Sequence, residues 1–268
     1  MKDSILHLPA SILIYEEGDL DGLDVRQVGE YLTEKTSIPF CLKGHLGSDV
    51  TEERATTASK RLARIKVRDP GRKFVWEESL PAEIDYEKKR IRDPHWKIFG
   101  IFYEGIFYQE IVSGLISERG FDLDHCAILF TNQLFVTWDR KDSRYHARVS
   151  LYGFPNLISL PGLVEAPAKP RAFYVKKRMG VPVEELKEEF EGQFIDYGDS
   201  RITEVMKGYA MQAFFFHLSG EPFCEDPNCR LFNSHWQEEV LRSNADSPYE
   251  FCPRHETMLK ELRERSRH

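Results

Sequence analysis

Three cysteines and one histidine near the C-terminal end are the residues whose type and spacing most clearly imply chemistry. Cys224 and Cys229 form a Cys-x4-Cys pair, and Cys252 and His255 form a Cys-x-x-His pair. Zinc takes four soft or borderline ligands at the corners of a tetrahedron, and ligands close in sequence let one turn of backbone supply half of the site without strain. The pattern predicts one zinc ion held by Cys224, Cys229, Cys252 and His255, with His235 as the alternative fourth ligand to His255. An ion enclosed by four protein ligands has no open position for water or substrate, so its role is structural. Between the two pairs, Trp236, Val240, Leu241 and Tyr249 provide apolar side chains for a small core beside the metal, and ion binding then contributes folding free energy directly.

The rest of the chain must carry this lobe. With 268 residues, 41% hydrophobic and 30% charged, it can bury one sizeable core plus a smaller appended lobe. A formal charge of −7 argues against a surface dedicated to nucleic acid or anionic lipid. The five cysteines are too few for a disulfide scaffold, and clustered thiols in a reducing compartment favour metal. The opening residues, with Asp3, Pro9, Glu16 and Glu17 around short apolar runs, lack the basic start and apolar stretch of a secretory signal. No apolar run is long enough to span a bilayer. The expectation is a cytoplasmic protein with no membrane partner.

Periodicity suggests the positioning elements. Residues 5–15 read as a strand, followed by a helix from about Asp24 with Val25, Val28 and Leu32 on one face, and a second strand at 38–42, a βαβ-like start. A helix after Thr51 carries Ala55, Ala58, Leu62 and Ile65, and Pro70-Gly71 closes it. Residues 81–97 read as charged and irregular, and 99–116 as a buried helix. Residues 126–138 and 145–152 read as two strands of a hairpin joined by the polar loop 139–144, and the Gly- and Pro-rich stretch 153–170 as an ordered loop. A short helix carries Val183, Leu186 and Phe190; a longer one, capped by Asp199 or Ser200, runs to about Leu218. Strands and helices are interspersed, so the fold class expected is α/β (α+β): a mixed twisted sheet flanked by helices. Residues 1–220 would form the α/β domain and 221–268 the zinc-stabilised C-terminal lobe, packed as one unit.

The segment from Ala213 to His255 resembles the archaemetzincins, a metzincin-like group of zinc peptidases. Their signature is a helix bearing His-Glu-x-x-His-x-x-Gly-x-x-His, then Cys-x4-Cys-x-Met and a later Cys-x-x-Cys. Three histidines hold the catalytic zinc, the glutamate is the general base, and four cysteines hold a structural zinc. With Cys224 as the first cysteine, the second histidine falls on His217, the glycine on Gly220 and the next cysteines on Cys229 and Cys252. The first histidine falls on Ala213, the glutamate on Phe214, the third histidine on Phe223, the methionine on Leu231 and the last cysteine on His255. Histidine at 255 keeps a competent zinc ligand. At the catalytic positions only His217 remains, and one imidazole cannot hold the ion. The resemblance therefore implies a metzincin-like layered domain with an intact structural zinc site and an inactive peptidase site, a pseudoenzyme whose vestigial cleft takes a peptide or protein ligand.

His217 also lies at helical spacing after Ile202, Met206, Tyr209 and Ala213, which reads as a hydrogen-bonded core histidine. The alternative function is an active zinc metallopeptidase or other hydrolase whose catalytic ion has moved to other ligands; His235, Glu238 and Glu239 are nearest in sequence. Residues 169–178 (KPRAFYVKKR) are basic with Phe173 and Tyr174 interleaved, and read as a solvated strand with snorkelling basic side chains, as do residues 86–92. Cys126, beside His125 on a strand, reads as a core thiol. No glycine-rich phosphate loop and no serine-nucleophile motif occurs.

Overall fold

The computed structural model describes residues 8–97, 100–116 and 123–266. The first half of the chain runs β1 (Ser11–Glu17), α1 (Val25–Thr36), β2 (Phe40–His45), α2 (Glu52–Arg64), α3 (Pro81–Arg92), β3 (Phe102–Glu104), α4 (Gly105–Ile116) and β4 (His125–Thr131). The second half runs β5 (Leu134–Asp139), β6 (Arg144–Ala147), β7 (Ser150–Leu151), β8 (Asn156–Ser159), α5 (Leu160–Glu165), α6 (Arg171–Arg178), α7 (Val183–Glu189), α8 (Ile202–Ser219), α9 (Gln237–Asn244) and α10 (Pro253–Arg265).

The α/β class expected from the sequence is the class the structure has. One sheet has the order β2-β1-β4-β8-β7, parallel except for β7, which runs antiparallel to β8; the other has the order β3-β5-β6. The parallel strands are covered on both faces, and their side chains alternate between two cores. Ile12, Ile14, Cys126, Ile128, Phe130 and Ile158 face a core built with α1, α8, α9 and α10. Leu129 and Leu157 face a second core with α2 and α4. The expected βαβ start is present, with β1 and β2 parallel and Thr51 capping α2 by accepting the amide of Arg54. The part of the first expected strand at 5–7 lies outside the described residues.

Several expectations are corrected. Residues 81–92 are helical: Pro81 opens α3, the Glu83 carboxylate accepts the Leu80 amide at 2.8 Å, and basic residues fill the last turn. The buried side of α3 is charged, so no apolar stripe announces it. Residues 126–138 are two strands in different sheets, separated by Asn132 and Gln133, and β5 pairs antiparallel with β6. The segment expected to be a loop, 153–170, contains β8 and α5, with Ser159 capping α5 through the amide of Gly162. The expected helix from residue 99 begins as β3 before turning into α4; Phe99 itself lies outside the described residues. Residues 171–178 form α6 rather than a strand. The expected cap Asp199 instead binds the Arg201 amide and guanidinium, and α8 starts at Ile202.

Helix α8 is apolar on nearly every side and correspondingly buried. Gly208 allows it to approach α9, since a Cβ there would lie 1.9 Å from Asn244 Oδ1. It ends at Gly220, whose φ of 76° is the left-handed conformation that glycine adopts without strain. The chain then turns toward Cys224. The cysteine-bearing segment, α9 and α10 all contribute to the first core, through Cys229, Leu231, Val240, Leu241, Phe251, Leu259 and Leu262. Arg230 ties them to the helices in front: its guanidinium donates to Glu204 at 2.5 Å and to the Asn244 carbonyl at 3.2 Å, while Tyr31 and Lys35 of α1 reach Glu250 at 2.6 and 2.7 Å.

Candidate metal centre

Each half of the cysteine and histidine cluster is made by one turn of chain. Cys252 is the N-cap of α10 and His255 lies in its first turn, placing Cys252 Sγ 3.2 Å from His255 Nδ1. On the other side the chain folds back between Cys224 and Cys229, closed by the Cys229 amide to the Asp226 carbonyl at 3.0 Å and the Cys224 amide to the Leu231 carbonyl at 2.9 Å. Across the halves, Cys224 Sγ lies 3.8 Å from Cys252 Sγ, and Cys229 Sγ lies 3.7 Å from His255 Nδ1. All four ligand atoms fall within 4.8 Å of one another. A zinc tetrahedron has edges of about 3.8 Å between sulfurs and about 3.6 Å from sulfur to nitrogen. The donor set therefore fits zinc in both chemistry and spacing.

The surroundings suit thiolates. The Asp226 amide points at Cys224 Sγ from 3.4 Å, and the amides of Cys252 and Leu231 donate to Cys229. Burial nevertheless pushes the Cys229 thiol up to about 12 and raises Cys224, so without a metal these thiols hold their protons at neutral pH. Burial, with Arg254 nearby, lowers the pKa of His255, which keeps its imidazole neutral and ready to coordinate. Three of the four side chains are buried and only Cys224 is half-exposed. His235 is exposed and lies away from the cluster; its amide binds the Glu239 carboxylate that caps α9.

His217 is buried on α8, its Nε2 at 3.0 Å from the Leu123 carbonyl and its ring against Phe154. Of the other catalytic positions in the resemblance, Ala213 and Phe214 are buried in the core, while Phe223, 43% exposed, lines a cleft of about 180 Å³ with Arg148, Ser150, Tyr209, Gln212 and His235. One further group among the described residues has metal-ligand spacing: Asp139, Asp142 and His146 on the exposed β5–β6 turn, where Asp142 is already bonded to Arg144 and His146.

Sequence reasoning missed a buried ionic cluster. Arg90, read as solvated, is 1% exposed and donates to Glu17 and Glu87, themselves buried; Tyr108 and Thr131 also donate to Glu17, and Tyr103 and Lys66 to Glu87. Removing Arg90 would leave the buried Glu17 carboxylate without a cation and Glu87 with Lys66 alone. The available signal was Glu87 and Arg90 at i and i+3 in a helix with proper caps.

The arrangement is an α/β fold with a Cys3His cluster just beyond α8. The chain belongs to the "Probable metallopeptidase family (DUF6775)", which matches residues 8–262. Family membership agrees with the zinc-peptidase resemblance carried by the cysteine spacing. Among solved structures, archaemetzincin from Methanopyrus kandleri is similar at 12% identity over 96% of each chain, with a TM-score of 0.45. A zinc-dependent peptidase from Methanocorpusculum labreanum is similar at 14% identity over 93% of this chain and 100% of that one, with a TM-score of 0.42. No curated protein matches the chain.

Proposed function

We propose that this chain is a zinc-binding, archaemetzincin-like protein whose single ion is structural and whose cleft beside α8 binds a peptide or protein segment without cutting it. The observation that carries the proposal is the convergence of Cys224, Cys229, Cys252 and His255 to within 4.8 Å. Three thiolates and His255 Nδ1 would hold the ion, which when bound cross-links the Cys224–Cys229 turn to α10. The same helix that leads into this site carries no general base at its second matched position: Phe214 is an apolar ring in the core and cannot take a proton. His217 is engaged with the Leu123 carbonyl and packed on Phe154. Free thiols throughout the chain suit a reducing compartment, and the proposed location is the cytoplasm.

Incubation of the zinc-loaded full chain with casein and with a mixed peptide pool, followed by mass spectrometry, is expected to yield no new fragments. The family description favours a second reading, an active metallopeptidase with relocated ligands, and His146 and His235 do line the same cleft. Cleavage abolished by a chelator would establish that second reading instead.

A further inference from the structure

We propose that the cleft between β6–β7, α8 and residues 233–235 is a carboxylate-recognition site centred on Arg148, taking an acidic group of a bound peptide. The chain carries 44 acidic residues, yet among the described residues no aspartate or glutamate lines this cleft. Its polar lining is cationic or neutral: Arg148, the His146 and His235 imidazoles, the Ser150 and Ser234 hydroxyls and Asn233.

Arg148 differs in its partners from Arg90, Arg201 and Arg230. Arg90 has Glu17 and Glu87, Arg201 has Asp199, and Arg230 has Glu204. Arg148 donates Nε to Thr137 Oγ1 at 2.7 Å, which fixes its orientation, and among the described residues no carboxylate lies within ion-pair distance of it. A half-buried guanidinium without a counter-charge presents a planar fork of donors that matches a carboxylate in shape and charge.

On the opposite wall both ends of the Gln212 amide are engaged. Tyr152 donates its hydroxyl to Gln212 Oε1 at 2.6 Å and Gln212 Nε2 donates to the Phe232 carbonyl at 3.0 Å, so the Gln212 oxygen is already committed. Phe223 supplies an apolar surface beside the polar groups, suited to an aromatic or aliphatic side chain next to the acid. The site rests on the cleft being a place where peptide binds, as in the function proposed above; the contact itself does not depend on whether the peptide is cut. The shared chemistry is a carboxylate, from either a free C-terminus or an Asp or Glu side chain.

The test is calorimetric titration of the zinc-loaded full chain with three probes: Ac-Ala-Ala-Ala-Phe as the free acid, its C-terminal amide, and Ac-Ala-Glu-Ala-Phe amide. At least one acid-bearing probe should bind about 10- to 100-fold more tightly than the neutral amide. Which acid is preferred identifies the source of the carboxylate. Arg148→Gln should erase the preference, and Arg148→Lys, which keeps the charge, should retain part of it; unchanged zinc content and melting temperature establish that both variants are folded. Equal binding of all three probes, absence of binding by any probe, or a preference that survives in Arg148→Gln would overturn the proposal. Mass spectra of the recovered probes separate the two readings: cut probes would defeat the non-peptidase function, while the affinities alone decide the carboxylate site.

Discussion

Two thiols in one core offer a controlled measure of what the metal contributes. Cys126 and Cys229 are both fully buried, both belong to the first core, and burial pushes both up to about 12. Alanine at either position removes one sulfur from a packed interior, at a cost of about 1 kcal/mol. Cys126 has no other role in the structure beyond a 3.9 Å contact from the Asn156 amide. Cys229 would be a zinc ligand, and an ion present at about a thousand times its dissociation constant stabilises the native state by about 4 kcal/mol. For a chain of this size each kcal/mol moves the melting temperature by about 2–4 °C. In excess zinc, Cys126→Ala should therefore melt about 2–4 °C below wild type and Cys229→Ala about 10–20 °C below. With a strong chelator present, the two variants should fall below wild type by the same few degrees. Scanning calorimetry with and without chelator reads both comparisons. Equal shifts for the two variants in zinc, or a Cys229→Ala protein that keeps its ion, would refute the reasoning.

His217→Ala is expected to leave zinc content unchanged in elemental analysis while costing about 1–3 kcal/mol in urea denaturation, through lost packing and the bond to Leu123. Arg90→Met leaves Glu17 and Glu87 buried without their shared cation and should destabilise by about 3–5 kcal/mol; a loss below about 1 kcal/mol would contradict the ionic cluster. Burial raises the pKa of Glu204, but the bonds from Lys207 and Arg230 outweigh it and the net direction is down. A depressed folded-state value means that this stabilisation is complete above the ordinary carboxylate value of about 4.3 and is lost as pH falls below it. Urea midpoints measured in chelator should accordingly drop on acidification, and Glu204→Gln should shrink that drop.

What could be read in advance follows from which forces leave a pattern in sequence. Apolar periodicity placed α1 and α2, and paired spacing singled out the four side chains that converge to within 4.8 Å, because local backbone geometry decides both. Helix α3 escaped because Ile91 is the lone apolar residue on its buried side, beside Glu87 and Arg90, and Arg90 is held by Glu17, far away in sequence. The break in the run 126–138 is hidden because Asn132 and Gln133 are polar yet buried, held by bonds such as Asn132 to the Trp96 carbonyl and Gln133 Nε2 to Asn132, which no hydropathy pattern anticipates. In 153–170 the Gly and Pro content hid a capped helix, although Ser159 and Pro161 are themselves start signals. The isolation of Arg148 from the carboxylates of the described residues is a property of the folded surface, with no local signature.

A solely structural ion and a catalytic one differ in how many metal ions the chain holds and where. Elemental mass spectrometry of the purified protein, checked by native mass, should find one zinc per chain, absent from Cys224→Ala. Two metal ions per chain, one of them surviving Cys224→Ala, would contradict a solely structural ion and point to a catalytic centre elsewhere in the fold.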